Sequence, residues 1–265
     1  MPPGFAEDPP PPQTCGNCHW PGRSQGDVLR VLRSYGDDEA NTENATTLMM
    51  RLGGPNAPGQ HGIHWHTNPG LVIEYVASDA DRQTIPWVRV TRPDGSVQDC
   101  VADGTTAGRI PSGECRTMDC LDCHNTIAHR IEVSAEAAVD RALARGALPR
   151  SLPYLRRESV RLLQASHAST DVALAAIDEG LRGFYKSESA VDAASVGRAV
   201  SALRAVYERN VFPTMKVTFG VYPDNIGHTS SQGCFRCHDG SHAAKDGSSI
   251  TSDCESCHRM LDEVP

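Results

Sequence analysis

Cys234-Phe235-Arg236-Cys237-His238 is one of four copies of the pattern CxxCH, and these copies decide how the chain is organised. The others are Cys15-Gly16-Asn17-Cys18-His19, Cys120-Leu121-Asp122-Cys123-His124 and Cys254-Glu255-Ser256-Cys257-His258. CxxCH is the attachment motif of c-type haem. Two thiols three residues apart lie on one side of a helical turn, so both can form thioethers to one haem. The histidine that follows then binds the iron. The sequence therefore predicts four covalently attached haems.

Each motif supplies two covalent anchors and one proximal iron ligand. The predicted anchors are Cys15, Cys18, Cys120, Cys123, Cys234, Cys237, Cys254 and Cys257. The predicted proximal ligands are His19, His124, His238 and His258. Zinc is the alternative for the last two motifs, whose CxxC pairs have a spacing typical of a zinc ribbon. A zinc ribbon does not need a histidine after every cysteine pair, so the repeated histidine favours haem.

The composition suits a protein whose interior is built partly from cofactor. Only 39% of the 265 residues are hydrophobic and 5% are aromatic, and haem macrocycles can supply the missing apolar surface. The formal net charge is -8, and ionised propionates would make the holoprotein more negative, at about -12. This charge argues against nucleic acid. We expect redox proteins or a membrane quinol-oxidising complex as partners, and a homo-oligomer is an open alternative.

Thioether attachment of haem normally takes place outside the cytoplasm, so we expect a periplasmic or extracellular location. The N-terminal segment, with Pro9 to Pro12 at its end, has neither the basic nor the apolar region of an export signal. We therefore expect a signal or anchor to have preceded it. No stretch of the sequence reaches the roughly 20 apolar residues that span a bilayer. Cys100 and Cys115 lie outside the motifs, and the sequence leaves open whether they form a disulfide.

Changes in residue pattern divide the chain into four segments. Residues 1–14 read as a Pro-rich tether, and residues 15–133 as a region carrying the first two haems, with a small β insertion at 71–102. Residues 134–210 are rich in Ala, Leu, Arg and Glu and predict a scaffold of about four helices. Residues 211–265 form a region with two haems. The predicted fold is mainly α, with extensive irregular structure organised around four haems, a small antiparallel sheet and a helical segment.

The β insertion has a recognisable hairpin pattern. Three strand-like runs cover Leu71–Ala77, Ile85–Thr91 and Val97–Ala102, and the last two flank the turn sequence Arg92-Pro93-Asp94-Gly95. In the helical segment, Ser134 is the predicted cap of the first helix, and Ser151 with Pro153 the predicted start of the second. A third helix is expected from about Thr170 to Tyr185. The fourth should bury the stripe formed by Val196, Val200, Leu203 and Tyr207.

Distal ligands should come from the seven histidines outside the motifs. The predicted candidates are His64, His66, His129, His228 and His242, with His66 slightly preferred over His64. His129 and His242 follow proximal histidines so closely that they cannot reach across the same macrocycle. We therefore expect them to bind neighbouring haems. Met49, Met50, Met118, Met215 and Met260 are the rival distal ligands, and they would give higher potentials than histidine.

Several stretches resemble multihaem c-type cytochromes of the NapC/NirT type. They are residues 15–20, 62–66, 119–125 with His129, and 225–228 leading to 234–240 with His242. The resemblance runs from about residue 13 to the C-terminus and implies electron transfer, with haem ligation at the positions named. Members of this group often carry an N-terminal membrane helix and accept electrons from quinol. We expect an electron carrier. The alternatives are a multihaem reductase with one open iron, and a subunit of a polymeric conductive assembly.

Overall fold

A computed structural model describes residues 15, 19, 26–53, 62–105, 110–127, 130–188 and 191–264. The predicted anchor Cys18 and the predicted ligand His129 lie outside these residues. The chain divides into two compact units. The motif unit comprises Met1–Arg30, Leu48–Asn125 and Asp224–Leu261, and the helical unit comprises Val31–Thr47, Thr126–Pro223 and Asp262–Pro265.

Strands and helices both contribute to the architecture. The strands are β1 (Asp27–Tyr35), β2 (Glu43–Arg51), β3 (Val72–Val76), β4 (Trp87–Thr91), β5 (Val97–Val101), β6 (Cys115–Thr117), β7 (Ala243–Ala244) and β8 (His258–Val264). They form two antiparallel sheets, with the orders β1-β2-β8 and β6-β3-β4-β5-β7. Among the described residues, 33% are helical and 20% are in strands, so the prediction of a mainly α fold is wrong.

The predicted antiparallel hairpin forms the centre of the five-stranded sheet. Val88 of β4 pairs with Tyr75 of β3 on one side and with Cys100 of β5 on the other. The turn between β4 and β5 closes because the Asp94 carboxylate accepts a hydrogen bond from the Ser96 amide at 2.9 Å. Tyr75 and Val88 are buried, and with Ile73, Ile85 and Cys237 they form the core cluster of the motif unit.

The missed strands explain why the helical content was overestimated. In β1 the apolar residues Val28, Leu29, Val31 and Leu32 follow the spacing of a helix rather than the alternation of a strand. β8 begins at His258, inside the fourth CxxCH motif, where the motif itself gives no strand signal. Pairing between distant segments thus overrides local pattern at both places.

The sheet order also answers the question of the disulfide. Cys100 lies on β5 and Cys115 on β6, with β3 and β4 between them. Three inter-strand spacings of about 4.8 Å keep them far beyond the roughly 7 Å limit for bridged Cα atoms. Both cysteines are free, Cys100 buried and Cys115 exposed.

The helical unit packs around its own apolar core. Its helices are α2 (Ala135–Ala144), α3 (Leu155–Gln164), α4 (Thr170–Tyr185) and α5 (Ala193–Asn210), after α1 (Cys120–Cys123) in the motif unit. The predicted stripe on α5 is buried in this core. Ser134 caps α2 as predicted, accepting a hydrogen bond from the Ala137 amide at 3.1 Å. The predicted start of the second helix is wrong, because the chain turns through Tyr154 in a left-handed conformation before α3 begins.

A bilayer-spanning helix needs length and apolarity together. Within the ranges that the structure describes, no helix combines the two.

Candidate haem-binding site

The cysteine pairs of the last three motifs each lie on a single tight turn. Cys120 and Cys123 open and close α1, and the histidine that follows donates its amide to the Cys120 carbonyl at 2.8 Å. The third and fourth motifs use 3-10 turns, Gly233–Arg236 and Cys254–Ser256. Thiols at the two ends of one turn can reach one macrocycle together, as the motif requires.

The turn of the third motif depends on glycine. Gly233 has a φ of 46°, and a Cβ placed there would lie 1.8 Å from the carbonyl oxygen of Gly227. No side chain can occupy that space. The same carbonyl accepts a hydrogen bond from the backbone amide of Cys234 at 2.8 Å. The close approach of the two backbone segments therefore fixes the position of Cys234, the first cysteine of the motif.

Three of the four predicted proximal histidines each face one histidine from outside the motifs. The ring centres of His64 and His124 are 6.5 Å apart with an angle of 25° between the planes. Those of His66 and His238 are 5.8 Å apart at 84°. Those of His228 and His258 are 5.9 Å apart at 34°.

These separations match two imidazoles bound across one iron. A metal–nitrogen bond of about 2.0 Å plus roughly 1 Å to each ring centre places two such rings roughly 6 Å apart. His64 and His66 come from one 3-10 turn, Ile63–Thr67, yet face histidines of different motifs. The sequence left His64 and His66 as alternatives, and the structure gives each its own partner.

Hydrogen bonds set the correct tautomer in the pair formed by His66 and His238. Nδ1 of His66 donates to the carbonyl of Ile63 at 2.8 Å, and Nδ1 of His238 donates to the carbonyl of Thr251 at 2.7 Å. A carbonyl only accepts, so both protons are on Nδ1 and both Nε2 atoms keep a lone pair for a metal. Burial lowers the pKa of His66, which keeps the ring neutral as ligation requires.

His64 and His258 carry buried Nδ1 atoms with no hydrogen-bond partner among the described residues. Burial, followed by the nearby His124, lowers the pKa of His64. A lowered pKa keeps the imidazole of His64 neutral, which is the form that can bind haem iron.

His242 is held in a different way from the other candidates. Only 2% of its side chain is exposed, and its Nε2 donates to the carbonyl of Ile85 at 2.7 Å. Nδ1 lies 3.2 Å from the Ser241 hydroxyl and 3.4 Å from the Asp239 carboxylate. With both ring nitrogens engaged, the geometry favours a structural role over iron ligation.

Comparison with known proteins supports haem c as the cofactor. No protein-family model matches the chain, and neither does any solved structure. The cytochrome c-type protein ImcH of Geobacter sulfurreducens is 37% identical over 255 residues, which cover 94% of this chain and 50% of ImcH. The chain is similar to a c-type cytochrome throughout. It spans about half the length of that relative. This similarity supports covalent haem c and leaves the NapC/NirT type as a resemblance only.

The zinc alternative would require the thiols of the third and fourth motifs to gather around one metal ion. Across the described ranges, no group of three or more His, Cys, Asp or Glu side chains is placed to hold a metal. Burial raises the pKa of Cys123 to about 11 and that of Cys237 to about 12.

Several apolar side chains beside the motifs are exposed to solvent, and a bound haem would bury them. Leu121 and Phe235, each inside a CxxCH motif, are both 43% exposed. Ile226 and Met260, close to the third and fourth motifs, are 53% and 50% exposed. Phe235 stacks on His228 with ring centres 4.1 Å apart. These surfaces suit the flat apolar faces of haem.

A polar network between the second and third motifs escaped sequence reasoning. We call it the motif bridge; its members are Tyr75, Arg82, Asp122, Asn225 and Arg236. Asp119 and Asp122 form a capping box at the start of α1, which their spacing could have indicated. The other contacts join residues far apart in the chain, and no local pattern indicates them.

Proposed function

We propose that this chain is a tetrahaem electron-transfer cytochrome whose last three haems have bis-histidine ligation. His64 would bind the same haem iron as His124, His66 the same iron as His238, and His228 the same iron as His258. The three ring separations near 6 Å are the observation that carries the proposal. For the haem of His19 we propose His129 as the distal ligand, from the sequence alone. Cys15, Cys18, Cys120, Cys123, Cys234, Cys237, Cys254 and Cys257 are the proposed covalent anchors.

The last three proposed haems follow one another in the order of their motifs. Arg236 of the third motif donates to the carbonyl oxygen of Asp122 in the second motif at 2.8 Å, so these two motifs are neighbours. His228 stacks on Phe235 of the third motif and faces His258 of the fourth, which brings the third and fourth motifs together. A row of closely spaced haems conducts electrons from one end to the other. We propose redox proteins or a quinol-oxidising complex as partners, and a periplasmic or extracellular location.

The test is haem counting and spectroscopy on the matured full-length chain. Mass spectrometry should find four haem adducts on the polypeptide, and the oxidised protein should contain low-spin iron throughout. The haem of His66 and His238 should give a strongly anisotropic low-spin EPR signal, because ring planes at 84° leave two iron d orbitals nearly equal in energy. The planes at 25° and 34° should give rhombic signals. Fewer than four adducts, or a high-spin fraction that binds small ligands, would contradict the proposal, and the latter would favour the reductase.

A further inference from the structure

The guanidinium of Arg236 is buried between the second and third motifs and is satisfied by carbonyl groups. It is 8% exposed. Its nitrogens donate to the carbonyl oxygens of Gly233 at 2.8 Å, Arg82 at 3.1 Å and Asp122 at 2.8 Å. Within the described part of the chain, no carboxylate forms an ion pair with it. A permanent positive charge is thus held in the interior by neutral partners.

Contacts of Arg236 join two haem-binding turns that are distant in sequence. Arg236 is the residue before Cys237 in the third motif, and Asp122 is the residue before Cys123 in the second. Asn225 reinforces the junction, since its Nδ2 donates to the same Asp122 carbonyl at 2.9 Å. The two turns are therefore tied at the position next to a thioether in each.

The carboxylate of Asp122 is the negative member of the motif bridge. It is 3% exposed, accepts the Tyr75 hydroxyl at 2.5 Å and lies 3.4 Å from the Arg82 guanidinium. Arg236 precedes Cys237 in the chain, and its guanidinium donates to the carbonyl oxygen of Asp122, the residue before Cys123. The positive charge of Arg236 therefore lies next to a haem-attachment cysteine of each motif.

We propose that Arg236 is a positioning residue that raises the reduction potentials of the second and third haems and fixes their spacing. This inference rests on the proposed function. Reduction adds one electron from an external donor to one haem iron, taking it from ferric to ferrous. A fixed positive charge nearby stabilises the form with the added electron, and a buried charge acts more strongly than an exposed one. The Asp122 carboxylate has the opposite effect on the same two haems.

The test is a redox titration of the holoprotein, with each low-spin EPR signal followed separately. R236M should lower the reduction equilibrium constants of the second and third haems at least tenfold. For a one-electron couple this lowers each potential by at least 59 mV. R236K keeps the charge and should leave the potentials near wild type while lowering thermal stability, because a single ammonium nitrogen cannot span three carbonyls that three separate guanidinium nitrogens now reach. R182M removes an exposed arginine of α4 and serves as the matched control, with no shift expected.

D122N should shift the two reduction potentials in the direction opposite to R236M. General loosening of the fold cannot produce shifts of opposite sign. Removing this carboxylate should raise the same two potentials. The inference is overturned by unchanged potentials in R236M, by an equal shift in R236K, or by a downward shift in D122N. If R236M does not mature with four haems, the contrast between R236K and D122N decides alone. The wild-type haem count and low-spin spectrum test the proposed function separately, so a failure of one is not mistaken for a failure of the other.

Discussion

Replacing His66 with Met tests the assignment of the third haem most directly. His66 faces His238 at 5.8 Å, and its Nδ1 bond to Ile63 leaves Nε2 available. A thioether ligand in place of imidazole raises the haem potential. The chain has four CxxCH motifs, so H66M should alter the ligation of one haem in four. The strongly anisotropic EPR signal, from one quarter of the low-spin iron, should disappear. One reduction potential should rise. The assay is EPR-monitored redox titration after confirmation of four covalent adducts.

The same substitution at His242 is the matched control. His242 is more deeply buried, but its Nε2 already donates to Ile85. H242M should keep all four low-spin signals and cost about 1–3 kcal/mol of stability, because the Ile85 carbonyl loses its partner in the interior. The sequence-based expectation was the reverse, with His242 bound to a neighbouring iron. Loss of a low-spin signal in H242M, with all four signals intact in H66M, would refute the assignment.

Three further results are expected. G233A should abolish attachment of the third haem or the stable fold, since its Cβ would meet the Gly227 carbonyl at 1.8 Å, and mass spectrometry would show three adducts or no holoprotein. H228M should raise the potential of the fourth haem and leave the anisotropic signal of the third unchanged; a change in that signal would contradict the pairing. Burial and then Asp122 raise the pKa of Tyr75 above about 10, so the unfolded state deprotonates first and stability falls as pH rises through that value. Y75F should flatten this alkaline loss in a denaturation series across pH, and an unaltered slope would show that Tyr75 does not contribute.

Local signals predicted the parts of the structure that are built from neighbouring residues. The CxxCH spacing indicated one turn for each cysteine pair, and the structure has such turns at Cys120, Cys234 and Cys254. The turn sequence at Asp94 and the apolar alternation around it predicted the β4–β5 hairpin. The helices of residues 134–210 followed from their caps and apolar stripes, apart from the start of α3.

Pairings between distant segments could not be predicted. His66 and His238 are far apart in the chain, and nothing in either neighbourhood marks the other. The sequence preferred His66 only slightly over His64 and left open that both face a haem, and the structure brings each of them next to a histidine of a different motif. For His242, the short sequence distance from His238 excluded ligation of the same iron, but it could not reveal the hydrogen bond to the carbonyl of Ile85.

The direction of each histidine pair along the chain has a consequence for biogenesis. In all three pairs the histidine from outside the motifs precedes its partner: His64 comes before His124, His66 before His238, and His228 before His258. A polypeptide that crosses a membrane from its N-terminus would therefore deliver these three proposed distal ligands before the cysteines that capture the corresponding haems. Each of these three irons would bind both of its ligands soon after attachment. The haem of His19 differs, because its proposed distal ligand, His129, comes later in the chain.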